Sequence, residues 1–152
     1  MSQKQNELSN VERLTTIAAI VPVWLQDSLA VLVKSDQSLR LVACTATIQT
    51  MLLLSLDHSP NVVLLDTDER DEQASDQVKQ IRAVWPDSHC IALVSRRDQQ
   101  SLIKVAGADE VLLKGTPPKQ LLAMIHQLRQ KIADHTAKTK PDENRFDTED
   151  LS

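Results

Sequence analysis

Tyrosine is missing from this chain, phenylalanine occurs once, as Phe146, and tryptophan twice, as Trp24 and Trp85. A core within 152 residues must therefore be assembled from Leu, Val, Ile and Ala, and the length suits one domain with terminal extensions. Only two glycines are present, Gly107 and Gly115, so no glycine-rich turn can form to bind a dinucleotide. No basic run is dense enough to grip a phosphate backbone, and the net charge of -4 argues against nucleic acid as a direct partner. No apolar run approaches the roughly 18 residues of a membrane span, and the opening "MSQKQNELSN" lacks the apolar centre of a secretion signal. The expectation is a cytoplasmic protein without a membrane partner. Cys44 and Cys90 match no metal-ligand spacing and lie in apolar surroundings, which suits two reduced thiols better than a bridge. The histidines His58, His89, His126 and His135 are scattered and form no ligand constellation.

What is present is an alternation of short apolar runs with helical patterns. Strands are expected at "TTIAAIV" (Thr15–Val21), "LRLVAC" (Leu39–Cys44), "NVVLLD" (Asn61–Asp66), "CIALVS" (Cys90–Ser95) and "EVLLK" (Glu110–Lys114). Helices are expected between them. The first, Trp24–Val33, carries Trp24, Leu25, Leu29, Leu32 and Val33 on one stripe, and the second covers Thr47–Leu56. The third covers Ser75–Trp85 with Val78, Ile81 and Trp85 facing inward, and a short fourth covers Gln99–Ala106. The last helix has Thr116 as its expected N-cap, Pro118 in its first turn and Leu121, Ile125, Leu128 and Ile132 at helical spacing. The polar segment 1–12 is expected to be flexible, 13–134 to form the domain, and 135–152 to be a disordered tail.

Five strands alternating with five helices imply a parallel sheet covered on both faces. Function in such a sheet is sought where the strands end, at their carboxyl edge. The residues there are Val21 and Pro22, Cys44, Asp66, Ser95 and Lys114. Asp66 and Lys114 face one crevice on this arrangement, and an ion pair between them would satisfy both without any chemistry. The charge run Asp68–Glu72 is expected as a solvated loop, and Arg96 and Arg97 as solvent-facing. Ser95 has no histidine or second base near it in sequence, so nucleophilic catalysis has little support.

The segments "PNVVLLD", "QIRAVWPDSHCIALVS" and "AGADEVLLKGTPPKQLLAMI" occur in order and at near-family spacing, and the chain from Leu14 to Ile132 resembles a response-regulator receiver domain. The resemblance implies an α/β, flavodoxin-like (CheY-like), doubly wound five-stranded parallel sheet of order 2-1-3-4-5 in three layers. It places the phosphoacceptor at Asp66 and the phosphate-contacting lysine at Lys114. The hydroxyl position falls on Ser95, or on Val94 with a shift of one residue. The switch aromatic is replaced by Val111.

The acidic pair that holds Mg²⁺ in such domains is lost. Two alignments place that pair. Taking "LAVLVKSD" as the first strand puts it at Lys34 and Ser35 but leaves the segment before Asp66 too short. Taking "TTIAAIV" preserves the spacing and puts it among Ile20, Val21 and Pro22. Neither supplies carboxylates, and phosphoryl transfer needs the metal to neutralise charge. Asp66 and Asp68 are the one remaining pair that could hold a cation, and no cofactor is expected.

The function implied is an atypical, stand-alone receiver module that works by protein–protein contact, without Mg²⁺-dependent phosphorylation and without enzymatic activity. Its partner would be a signalling protein, a histidine kinase or an effector, or a second copy met through the last helix, where Leu122 and Met124 add apolar positions. The alternative is a working phosphorelay receiver phosphorylated on Asp66. A remoter alternative is a phosphatase of the haloacid dehalogenase type, whose Asp-x-Asp motif "LLDTDER" imitates. That motif should end the first strand, and Arg70 stands where Thr or Val is needed.

Overall fold

The structure is a computed structural model that describes residues 14–131 apart from Ser55. The expected flexible segment 1–12, the tail 135–152 and Ile132 lie outside the described residues. The strands are β1 (Thr15–Ile20), β2 (Leu39–Thr45), β3 (Val62–Asp66), β4 (His89–Val94) and β5 (Glu110–Leu113). The helices are α1 (Val23–Lys34), α2 (Ile48–Leu53), α3 (Asp71–Val84) and α4 (Gln100–Ala106), the last preceded by a 3-10 turn at Arg97–Gln99. A fifth helix, α5, covers residues 118–131.

All strand pairings are parallel and the order is β2-β1-β3-β4-β5, as the resemblance implies. The strands are continuous apolar runs because both faces are covered. Alternate residues divide between two clusters. Ile17, Ala19, Val62, Leu64, Ile91 and Leu93 share one with Leu29 and Val33 of α1 and Leu121, Ile125 and Leu128 of α5. Ala18, Ile20, Val63, Leu65, Ala92 and Val94 share the other with residues of α2, α3 and α4, including Met51, Ile81 and Ile103. Three layers result. Cys90 belongs to the second cluster and Cys44 packs against the first, so the two free thiols lie on opposite faces of the sheet. Burial pushes the Cys90 thiol up to about 12, which leaves it an inert core group.

Several local expectations are corrected. Trp24 is 75% exposed and stands outside the buried stripe of α1, where Leu29 and Val33 make the core contact. The second helix is cut to Ile48–Leu53, with Thr47 as N-cap, because Leu54 turns to extended backbone. Part of the charge run Asp68–Glu72 is helical. α3 begins at Asp71 rather than Ser75, since Asp71 and Glu72 in the first turn oppose the positive end of the helix dipole. Thr116 donates its hydroxyl to the Leu113 carbonyl at 2.6 Å and does not cap α5. The first bonds of that helix run from Gln120 and Leu121 to the carbonyl of Pro117, with Pro118 in the first helical position. Leu122 and Met124, expected as surplus apolar positions, pack against the sheet cluster. Among the described residues no helix is long and apolar enough to cross a membrane.

The amino edge of the sheet is tied by one arginine. Arg82 of α3 donates to the carbonyls of Gly107 and Ser88 and to Asp109, whose Oδ2 also accepts from the Cys90 amide at 2.7 Å. Gly107 must be glycine on two counts. Its φ is +126°, and a Cβ there would lie 2.9 Å from Arg82 Cγ, an atom that the three guanidinium bonds keep from swinging away. Gly115, at φ +90°, has nothing within 4 Å of a Cβ. Gly107→Ala is therefore expected to cost about 2–3 kcal/mol and Gly115→Ala only about 1–2 kcal/mol, the backbone contribution alone. Urea unfolding of both variants checks the difference, and equal losses would remove Arg82 from the explanation.

Candidate functional site

The carboxyl edge collects the polar groups that the sheet interior cannot hold. β3 ends in Asp66, which pairs in register with Leu93 of β4. Thr67 follows and is buried. Its amide and its hydroxyl both donate to the Leu93 carbonyl, at 3.0 and 2.7 Å, extending the β3–β4 ladder one residue past the strand. Lys114 follows β5 directly, with its amide on the Val94 carbonyl at 2.7 Å. That backbone bond aims its side chain across the crevice. Its Nζ donates to the Thr67 carbonyl and stands 3.5 Å from Asp66 Oδ2. The two side chains retain 29% and 20% exposure, so the pair is partly desolvated. Burial pushes the Asp66 carboxyl above its ordinary range, and Lys114 offsets part of the rise.

Asp68, the one other carboxylate proposed near Asp66, is already taken. Its Oδ1 accepts from the Arg70 amide at 2.9 Å and from Arg70 Nε at 3.0 Å, and its Oδ2 from Nη2 at 3.1 Å. These bonds hold its carboxyl down to about 2. The end of β1 contributes nothing ionisable. Ile20 and Val21 are 2% and 0% exposed, the Val21 amide donates to the Thr45 carbonyl, and the Val21 carbonyl accepts from Gln26 Nε2 at 3.0 Å. Among the described residues no three His, Cys, Asp or Glu side chains come together in a set that could hold a metal ion.

Of the residues proposed from sequence, the structure brings Asp66 and Lys114 together. Val94 closes β4 with its side chain in the core, and Ser95 follows it, half-buried, with its amide on Gln99 Oε1 at 3.0 Å. Among the described residues the Ser95 hydroxyl makes no hydrogen bond. Val111 is buried in the cluster beneath α3 and α4. Sequence reasoning missed Thr67, Arg70 and Gln99. Thr67 stands next to an apolar strand and could have been suspected as its continuation. Nothing in the polar run "RRDQQ" marks Gln99 for burial. Arg96 is exposed, as expected, and also binds Asp71 Oδ1 at 2.8 Å and Asp98 Oδ1 at 3.0 Å.

Comparison with solved structures gives the same fold. A CheY-like response-regulator receiver domain protein from Methanospirillum hungatei JF-1 matches with a TM-score of 0.68 at 18% identity, covering 80% of this chain and 98% of that one. A LuxR-family DNA-binding response regulator from Staphylococcus aureus matches with a TM-score of 0.63 at 21% identity, covering 76% and 99%. Among curated proteins, a nitrate/nitrite response regulator protein homolog from Haemophilus influenzae is 32% identical over 102 residues, 65% of this chain and 49% of that protein. The chain thus spans about half the length of that relative. No protein-family model matches. The receiver-type, flavodoxin-like fold expected from the sequence is the fold of the molecule.

The crevice makes a prediction about pH. A carboxyl whose folded pKa is raised stabilises the fold below its unfolded pKa of about 4, and that contribution is lost as pH rises through the folded value. Asp66→Asn should therefore equal or exceed the parent in stability at pH 7, with the difference shrinking toward pH 4. Lys114→Ala leaves Asp66 without its counter-ion and Thr67 without its donor, and should cost about 1–3 kcal/mol at pH 7. Thermal unfolding of both variants at the two pH values is the measurement. An unchanged melting temperature for Lys114→Ala would mean the pair does not contribute.

Proposed function

We propose that this chain is a receiver module of two-component signalling that acts through protein contacts, without Mg²⁺-dependent phosphorylation of Asp66. One observation carries the proposal: β1 ends in the buried apolar residues Ile20 and Val21, with no carboxylate there to recruit a metal beside Asp66. The residues present do not fit Mg²⁺. A hard divalent cation needs several oxygen ligands, whereas Ile20 and Val21 are apolar and both oxygens of Asp68 accept from Arg70.

A signalling partner follows from the fold class rather than from this site, and either a histidine kinase or an effector protein suits it. On this reading α5 is not a homodimer face, because Leu121, Ile125 and Leu128 are buried and Leu122 and Met124 pack against the sheet cluster. A second reading, phosphorylation of Asp66 by a histidine kinase, is favoured by one feature only, the adjacency of Asp66 and Lys114. The module is assigned no reaction of its own.

Incubation with acetyl phosphate and Mg²⁺, or with beryllofluoride and Mg²⁺, separates the two readings. The expected result is no added mass and no amide shift around Asp66. A Mg²⁺-dependent modification that disappears in Asp66→Asn would establish the phosphorelay reading instead.

A further inference from the structure

The loop before α4 is joined to the loop after Asp66 by a buried glutamine that uses every hydrogen-bonding position it has. Gln99 is 1% exposed. Its Oε1 accepts from the amides of Ser95 and Arg96, at 3.0 and 3.2 Å. Its Nε2 donates to the Glu69 carbonyl and to Asp71 Oδ1, both at 3.1 Å. An amide side chain offers two acceptor positions and two donors, and all four are filled. The orientation is fixed by its partners, since a flipped amide would set its N–H groups against two backbone N–H groups. Arg96 repeats the tie from outside, with Nη1 on the same Glu69 carbonyl at 3.2 Å and Nη2 on the same Asp71 oxygen at 2.8 Å.

Energetics favour the buried partner. The exposed Arg96–Asp71 pair contributes little, as surface ion pairs do. A buried amide stripped of its bonds is costly, so the loops cannot separate without exposing Gln99 to water or leaving it unsatisfied. None of these bonds involves Asp66, Lys114 or any ligand. The geometry points to a built-in clamp: Gln99 joins the loop that opens α4 to the first turn of α3, and holds both in one arrangement whatever the state of Asp66. This deepens the metal-free reading above by naming a positioning residue that keeps α4, with its exposed Leu102 and Val105, in a single state.

Amide hydrogen exchange followed by NMR on the full chain tests it. In the parent protein the Ser95 and Arg96 amides should be protected, and Asp66→Asn should leave that protection unchanged. Gln99→Ala should speed exchange at these two amides by at least about tenfold while the β4 amides keep theirs. Asp71→Ala, at an exposed position, should give a smaller increase at the same amides and serves if Gln99→Ala does not fold. Unchanged exchange in a folded Gln99→Ala or in Asp71→Ala overturns the clamp, as does a loop change caused by Asp66→Asn. If beryllofluoride and Mg²⁺ bind at Asp66 yet leave Ser95 and Arg96 protected, the metal-free reading falls and the clamp stands.

Discussion

A parallel sheet buried on both faces must deliver every polar side chain it carries to one of its two ends. Nothing charged is tolerated between Ile17 and Val21, between Val62 and Leu65, or between Cys90 and Val94, where exposure does not exceed 3%. The chemistry of this molecule is consequently split between two edges. At the amino edge Arg82 gathers the carbonyls of Gly107 and Ser88 with the carboxylate of Asp109. At the carboxyl edge Lys114 gathers the Thr67 carbonyl with the carboxylate of Asp66. At each edge a cation joins a backbone carbonyl and an aspartate from a neighbouring segment of the chain.

The likeness between the two edges bears on how the carboxyl edge should be understood. At the amino edge the arrangement ties α3, β4 and the turn before β5 together. At the carboxyl edge Lys114 likewise joins the end of β5 to the end of β3. The Asp68 carboxylate turns to Arg70 two residues away rather than toward Asp66. Lys114 and Arg70 each stand beside one of the two aspartates, Asp66 and Asp68. Ile20 and Val21 continue the apolar packing of β1 into the clusters on its two faces.

Much of this was legible in the residues, and the parts that were not share a cause. Strand and helix positions followed from apolar periodicity, which reports burial directly, and all five strands were placed to within a residue at either end. Asp66 and Lys114 were found because each interrupts an apolar run at its end. Trp24 was misplaced because a helical stripe assumes that every apolar residue on it is covered, whereas in the first turn of α1 Leu25 packs against the sheet cluster and Val23 and Trp24 stay exposed. The start of α3 was missed because Asp71 and Glu72 are helical for an electrostatic reason that hydrophobic pattern does not register. Gln99 was missed because its burial is created by partners thirty residues away in the chain, Glu69 and Asp71, and no local pattern encodes them.

The polar misses fall together in space: Arg70, Asp71, Arg96 and Gln99 all lie in the segment after Asp66, up to the first turn of α3, or in the loop before α4, where polar side chains decide the backbone. Loops at the carboxyl edge of an α/β sheet are free to vary because the core does not depend on them. In this chain the freedom has been used to close hydrogen bonds among the loops themselves. A loop that must move needs donors and acceptors left open to water or to a ligand. Here the buried amide at the centre has none open, and its two acceptors, the Glu69 carbonyl and Asp71 Oδ1, each receive a second bond from Arg96. The bonds that bury Gln99 therefore join these two segments to each other, so that neither can shift without breaking hydrogen bonds to the other.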